Sequence, residues 1–139
     1  MPLTYRIDLE RRLVVARGSG ALKDEEVFGY QMEVWSRPEV AGFAELIDMS
    51  RVLHVLLPSV ERVRDLAELS AKMSSGAPRS RMAIVAPDDL TFGLGRMFDA
   101  CRESAAPGLK PVGVFRTLPE ALAFLRIADA AAVPELGGE

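Results

Sequence analysis

Short apolar runs of extended character alternate with segments of helical period along almost the whole chain, and that alternation leaves few folds open. Thr4 to Leu9 and Leu13 to Arg17 read as two strands joined by the charged Glu10-Arg11-Arg12, a hairpin whose strands pair antiparallel. Gly18-Ser19-Gly20 is expected to break the second strand. From Asp24 the residues Val27, Tyr30 and Val34 follow helical spacing, with Phe28 and Trp35 beside them. Asp24, Glu25 and Glu26 suit the first turn of that helix, where carboxylates meet the positive end of its dipole, and Arg37-Pro38 ends it.

Three strand-then-helix units follow. Phe43 to Asp48 is the third strand, and Val60, Val63, Leu66, Ala67 and Met73 mark an amphipathic helix capped by Ser59. Met82 to Ala86 is a short apolar run suited to a covered parallel sheet, and Asp88 or Asp89 caps the helix carrying Leu90, Phe92, Leu94, Met97, Phe98 and Cys101. Val112 to Phe115 is the last strand, and Thr117-Leu118-Pro119-Glu120 is a capping box opening the last helix. Gly93-Leu94-Gly95 lacks the spacing of a nucleotide loop and predicts close helix packing, while Arg96 and Arg102, six apart, are expected to be solvated. The fold class is α/β: an N-terminal β-hairpin and three strand-helix units, giving a mixed five-stranded sheet with packed helices. One domain is expected over residues 1–128, with a flexible tail over 129–139.

The chain has 139 residues, enough to bury roughly two-thirds of its unfolded surface without staples. Its net charge of -3 provides no basic field for nucleic acid. A single cysteine, Cys101, makes no internal disulfide and fits a reducing, cytoplasmic setting. No apolar stretch approaches the ~18 residues of a membrane span, so no integral membrane segment is expected.

Function is sought where ligands bind in open α/β sheets, beyond the carboxyl ends of the parallel strands. One of those ends stands out. The run from Phe43 stops at Asp48-Met49-Ser50, and a second apolar cluster, Val52 to Leu57, follows before Pro58-Ser59. Read as a loop between the third strand and its helix, this segment has more apolar residues than a connection needs. It holds the sole histidine, His54. The candidate binding residues are Asp48, Ser50, Val52, His54, Leu56, Leu57 and Ser59. Either they fill the core, or they form a pocket wall or partner surface, because several exposed aliphatics need a partner.

These motifs together resemble the STAS superfamily, the anti-sigma-factor-antagonist-like domains, in its bacterial SpoIIAA-like branch. The resemblance spans roughly residues 4 to 127 and rests on the hairpin Tyr5 to Arg17, on Leu46 to Val52, on Met82 to Pro87 leading to Phe92-Gly93, and on Val114 to Thr117 before Glu120 to Leu125. It implies a mixed sheet with helices packed on it and a role in binding or regulation. Members of that superfamily carry a phosphorylatable serine at the start of the helix after the third strand. Aligning Asp48, Ser50, Val52 and Val55 with that pattern places Leu57 at the phosphoacceptor position, with Ser59 reachable only by a shift of register.

The expectation is therefore a noncatalytic regulatory or binding domain that recognises an apolar small molecule or a protein partner through residues 48–59, with a homodimer formed by the same surface as a further option. No cofactor is expected. Two alternatives are a partner-switching protein phosphorylated at Ser59 and a magnesium-dependent, phosphate-handling enzyme using Asp48, Asp88 and Asp89. Against the enzyme, Lys110-Pro111 precedes the last strand instead of following it, and helix capping accounts for one of Asp88 and Asp89. His54 has no recognisable nucleophile or oxyanion site around it, and with Cys101 it supplies too few ligands for zinc.

Overall fold

The computed structural model describes residues 2–56, 59–74, 80–105 and 111–127. Strand β1 (Leu3–Asp8) pairs antiparallel with β2 (Leu13–Lys23). The turn between them places Arg12 at φ 54°, and the Asp8 carboxylate accepts the Arg11 backbone N–H at 2.9 Å. That backbone hydrogen bond, reinforced by the Arg11 guanidinium, holds the Asp8 carboxyl below its ordinary pKa. Strands β3 (Ala44–Leu56), β4 (Met82–Val85) and β5 (Val112–Phe115) continue the sheet in parallel with β2, in the order β1-β2-β3-β4-β5. The sheet is mixed and five-stranded, as expected.

Helices cover both faces unequally. Alternation along β2 sends Val14 and Ala16 to one face and Leu13 and Val15 to the other. The first face carries α1 (Asp24–Trp35), α2 (Val60–Ser74) and α3 (Asp89–Ala105), and Ile47 of β3 packs into both of the clusters these helices form. The second face is covered by α4 (Leu118–Leu125), whose Ala121, Leu122 and Leu125 close over Leu13, Val15, Leu46, Ala83 and Val85.

The expected caps are in place. Ser59 Oγ accepts the Arg62 N–H at 3.3 Å, Asp88 Oδ1 accepts the Thr91 N–H at 2.8 Å, and Thr117 Oγ1 accepts the Glu120 N–H at 3.4 Å. The Thr91 amide lowers the Asp88 pKa. Gly95 lets α3 lie against the sheet, since a Cβ there would stand 3.0 Å from Val114 Cγ1. Gly93 has open space around it.

Three expectations need correcting. Strand β2 does not break at Gly18-Ser19-Gly20 but runs through to Lys23 and passes directly into α1. Strand β3 does not end at Asp48, and residues 49–56, read as a loop, are strand. Arg102 is not solvated: it is 3% exposed, and its Nε donates to Ser70 Oγ at 3.0 Å, joining α3 to α2. Burial lowers its pKa, opposed by Glu45, Asp99 and Glu103. The expected domain limit at residue 128 and the tail 129–139 lie outside the described residues.

Candidate functional site

Strands β2 and β3 outrun their neighbours, because β1 pairs β2 only as far as Gly18 and β4 pairs β3 only as far as Asp48. Beyond those rows Ser19 to Lys23 pair with Arg51 to Leu56 as a two-stranded parallel ribbon, with one further bond from the Ser19 N–H to the Pro2 carbonyl at 2.7 Å. Its register shifts twice. Arg17 faces Asp48 but Ser19 faces Arg51, and Gly20 faces Val52 but Ala21 faces His54, so β3 carries one extra residue at each shift. Gly20 sits at the second shift with φ 61°. Each extra residue moves the following side chains across the strand. As a result Ile47, Met49, Val52 and Val55 all turn toward the face of α1, α2 and α3, at spacings of two, three and three rather than a strict two. Gly18 admits Val52, because a Cβ there would stand 2.8 Å from Val52 Cγ2.

Below this ribbon, between the sheet and the three helices, lies a cavity of about 130 Å³. Strands contribute Leu22, Ile47, Met49, Val55 and Ile84, and helices contribute Val27, Phe28, Val63, Leu66, Leu94 and Phe98. The exposed Lys23 marks the rim beside Asp24 and Arg62. There α1 is tied to α2: Arg62 Nε donates to Asp24 Oδ2 at 2.7 Å, and the guanidinium lies 4.2 Å from the centre of the Phe28 ring. The hydrogen bond from Arg62 lowers the Asp24 pKa.

Farther along α1 the wall is polar. Tyr30 Oη donates to Glu45 Oε2 at 2.7 Å, and Trp35 Nε1 reaches the same oxygen at 3.1 Å. Burial, then the neighbouring Glu45 carboxylate, pushes the Tyr30 hydroxyl well above its ordinary pKa and keeps it a donor. Gln31 also lines this wall and is 7% exposed.

The expected site residues are scattered by this geometry. Asp48 is buried on the α4 face in an ion pair with Arg17, Nε to Oδ2 3.0 Å, and its Oδ1 accepts the Ser50 N–H at 2.9 Å. Ser50 is exposed, Val52 is buried behind Gly18, and His54 and Leu56 point to solvent. Ser59 caps α2, and Leu57 lies outside the described residues. Of the segment, Met49 and Val55 reach the cavity. Looking for the site only beyond the carboxyl end of the third strand missed the lining from α1, α2 and α3. One signal was available: Gln31 stands four residues after Val27 and three before Val34, a polar residue inside an apolar helical stripe.

The aspartates of the enzyme alternative are also separated in role. Asp48 pairs with Arg17, Asp88 caps α3, and Asp89 Oδ1 accepts from Arg116 Nη1 at 2.8 Å. Among the described residues no group of three or more His, Cys, Asp or Glu is placed to hold a metal ion.

No family model and no curated protein matches the chain. Among solved structures it is similar to an uncharacterised DUF3478-family protein with a SpoIIAA-like fold from Shewanella loihica PV-4. The two share 18% identity with a TM-score of 0.55, over 88% of this chain and 93% of that one. No described helix is long and apolar enough to cross a membrane. The likeness over nearly the full length of both chains, together with the five-stranded mixed sheet and its four helices, identifies the chain as having the SpoIIAA-like fold.

Proposed function

We propose that this protein is a noncatalytic binding module that takes an apolar small molecule into the cavity between its sheet and α1, α2 and α3. The observation that carries this reading is the cavity itself: about 130 Å³, walled almost wholly by aliphatic and aromatic side chains. An enclosed apolar cavity of roughly 150 Å³ accepts a benzene-sized molecule, and this one, open at the rim by Lys23, is of comparable size. A ligand would replace contacts that the lining side chains now lack, so filling the space gains dispersion energy and removes ligand surface from water.

The test is titration with toluene, followed through the methyl NMR signals of Val55, Ile47, Ile84 and Leu22. Saturable shifts at these methyls are expected, and Val55→Trp, which fills the cavity from the ribbon, abolishes them while keeping a native circular dichroism spectrum. Absence of any shift at the solubility limit of toluene overturns the proposal. Mass spectrometry of the native protein would identify any copurified molecule directly.

A second reading, recognition of a protein partner or a second copy of the chain, is favoured by one observation. Leu53 is 76% exposed, Leu56 48% and Val60 56%, all at the tip formed by the end of β3 and the start of α2. If this tip is an interface, Leu53→Asp converts an associated species to monomer in analytical ultracentrifugation without lowering the melting temperature. A wild-type protein that is monomeric at high concentration argues against self-association. Phosphorylation at Ser59 and magnesium chemistry at Asp48, Asp88 and Asp89 have no comparable observation behind them: Ser59 is engaged as a cap, and the aspartates have separate partners.

A further inference from the structure

Resting on the reading of the cavity as a ligand site, we infer that it selects a neutral molecule with one hydrogen-bonding end, recognised by the side-chain amide of Gln31. A purely apolar occupant would leave this amide unused. Gln31 is 7% exposed and lines the cavity, and among the described residues its amide makes one hydrogen bond, Nε2 to the Met73 sulfur at 3.7 Å. A thioether is a weak acceptor, and the amide oxygen, which can accept two hydrogen bonds, receives none from the described residues and is not sealed away from the cavity. If the amide is turned over, the oxygen faces the sulfur and the NH₂ group is left in its place, so either orientation presents unsatisfied polar capacity to the cavity. The amide is the weakly engaged polar group of an otherwise apolar wall, and a ligand hydroxyl or amide in the cavity gives it a stronger partner than the thioether does.

The surroundings define the rest of the ligand. Gln31 lies seven residue steps along α1 from Asp24 at the rim, roughly 10 Å of helix. Between them the walls are Val27, Phe28, Leu66 and Val55, which suit a hydrocarbon body such as one ring or a short chain. The head is neutral because the mostly apolar wall solvates a charge of either sign poorly, and the buried carboxylate of Glu45 in the same wall adds to the cost of an anion.

Toluene, benzyl alcohol and benzoate share a body and differ in the head, so titrating each into the wild-type protein and into Gln31→Leu isolates the amide. Benzyl alcohol is expected to bind the wild type and to lose fivefold or more in affinity in Gln31→Leu, where its hydroxyl is buried without a partner. Toluene is expected to bind Gln31→Leu as well as the wild type or better. A thermal melt verifies folding, and Gln31→Met serves as a second apolar variant. If toluene and benzyl alcohol both bind and the substitution changes them equally, the role of Gln31 is overturned while the apolar cavity stands. If benzoate binds more tightly than benzyl alcohol, the neutral head is overturned. If none of the three binds the wild type, the cavity reading fails and this inference with it.

Discussion

At the residue scale the chain keeps its buried charges in company. Arg17 and Asp48, 8% and 5% exposed, pair in the interior, and among the described residues Arg17 Nη1 has no hydrogen-bond partner. Removing one member of such a pair strands the other charge in a poorly solvating environment, whereas replacing both with apolar groups removes the problem altogether. Asp48→Ala is therefore expected to lower stability by about 3 to 5 kcal/mol, and Arg17→Met with Asp48→Leu to recover most of the loss, as read from chemical denaturation. At the rim Asp24 has a lowered pKa because Arg62 hydrogen-bonds its ionised form. The stabilisation is then present above the ordinary carboxylate value, about 3.9, and disappears as pH falls through the lower folded value. Wild type is expected to lose more stability than Arg62→Met on acidification from about pH 5 to about pH 2, measured by melting temperature across that range.

At the element scale the long β2–β3 ribbon explains what strict alternation could not. Its inward positions Ile47, Met49, Val52 and Val55 break period two because β3 carries two extra residues relative to β2. A run whose apolar positions shift phase looks like a loop when its partner strand is unknown. The ribbon also depends on a missing side chain. Val52 Cγ2 would stand 2.8 Å from a Cβ at Gly18, and the stiff β-branched valine has little room to turn aside. Gly18→Ala is expected to cost about 1 to 3 kcal/mol in urea unfolding and to increase hydrogen exchange at residues 51–56. Gly20 has open space but φ 61°, so Gly20→Ala acts only through backbone strain, about 1 kcal/mol. Caps were more legible than strand ends. Ser59, Asp88 and Thr117 are each followed three residues later by the amide they accept, a relation that is local in the chain.

For the whole molecule, the cavity makes stability depend on occupancy. A ligand that binds only the folded state raises stability by RT ln(1 + [L]/Kd), so benzyl alcohol at ten times its Kd is expected to add about 1.4 kcal/mol and to raise the melting temperature by a few degrees. Val55→Trp, with the space already filled, is expected to melt at the same temperature with and without it. Arg102 illustrates why the surroundings of this cavity were hard to read. Its place on α3 predicted solvent, but α2 packs alongside and supplies Ser70 from 32 residues away.

The succession of strands and helices along the chain, the antiparallel hairpin and the helix caps were determined by the sequence, because period, turn chemistry and capping are set by neighbours in the chain. The extension of β2 and β3, their two shifts of register, the burial of Arg102 and the cavity with Gln31 in its wall were decided by tertiary structure. Each arises where residues far apart in sequence meet, and whether an aliphatic side chain there fills the core, lines a hollow or faces water depends on the partner opposite it.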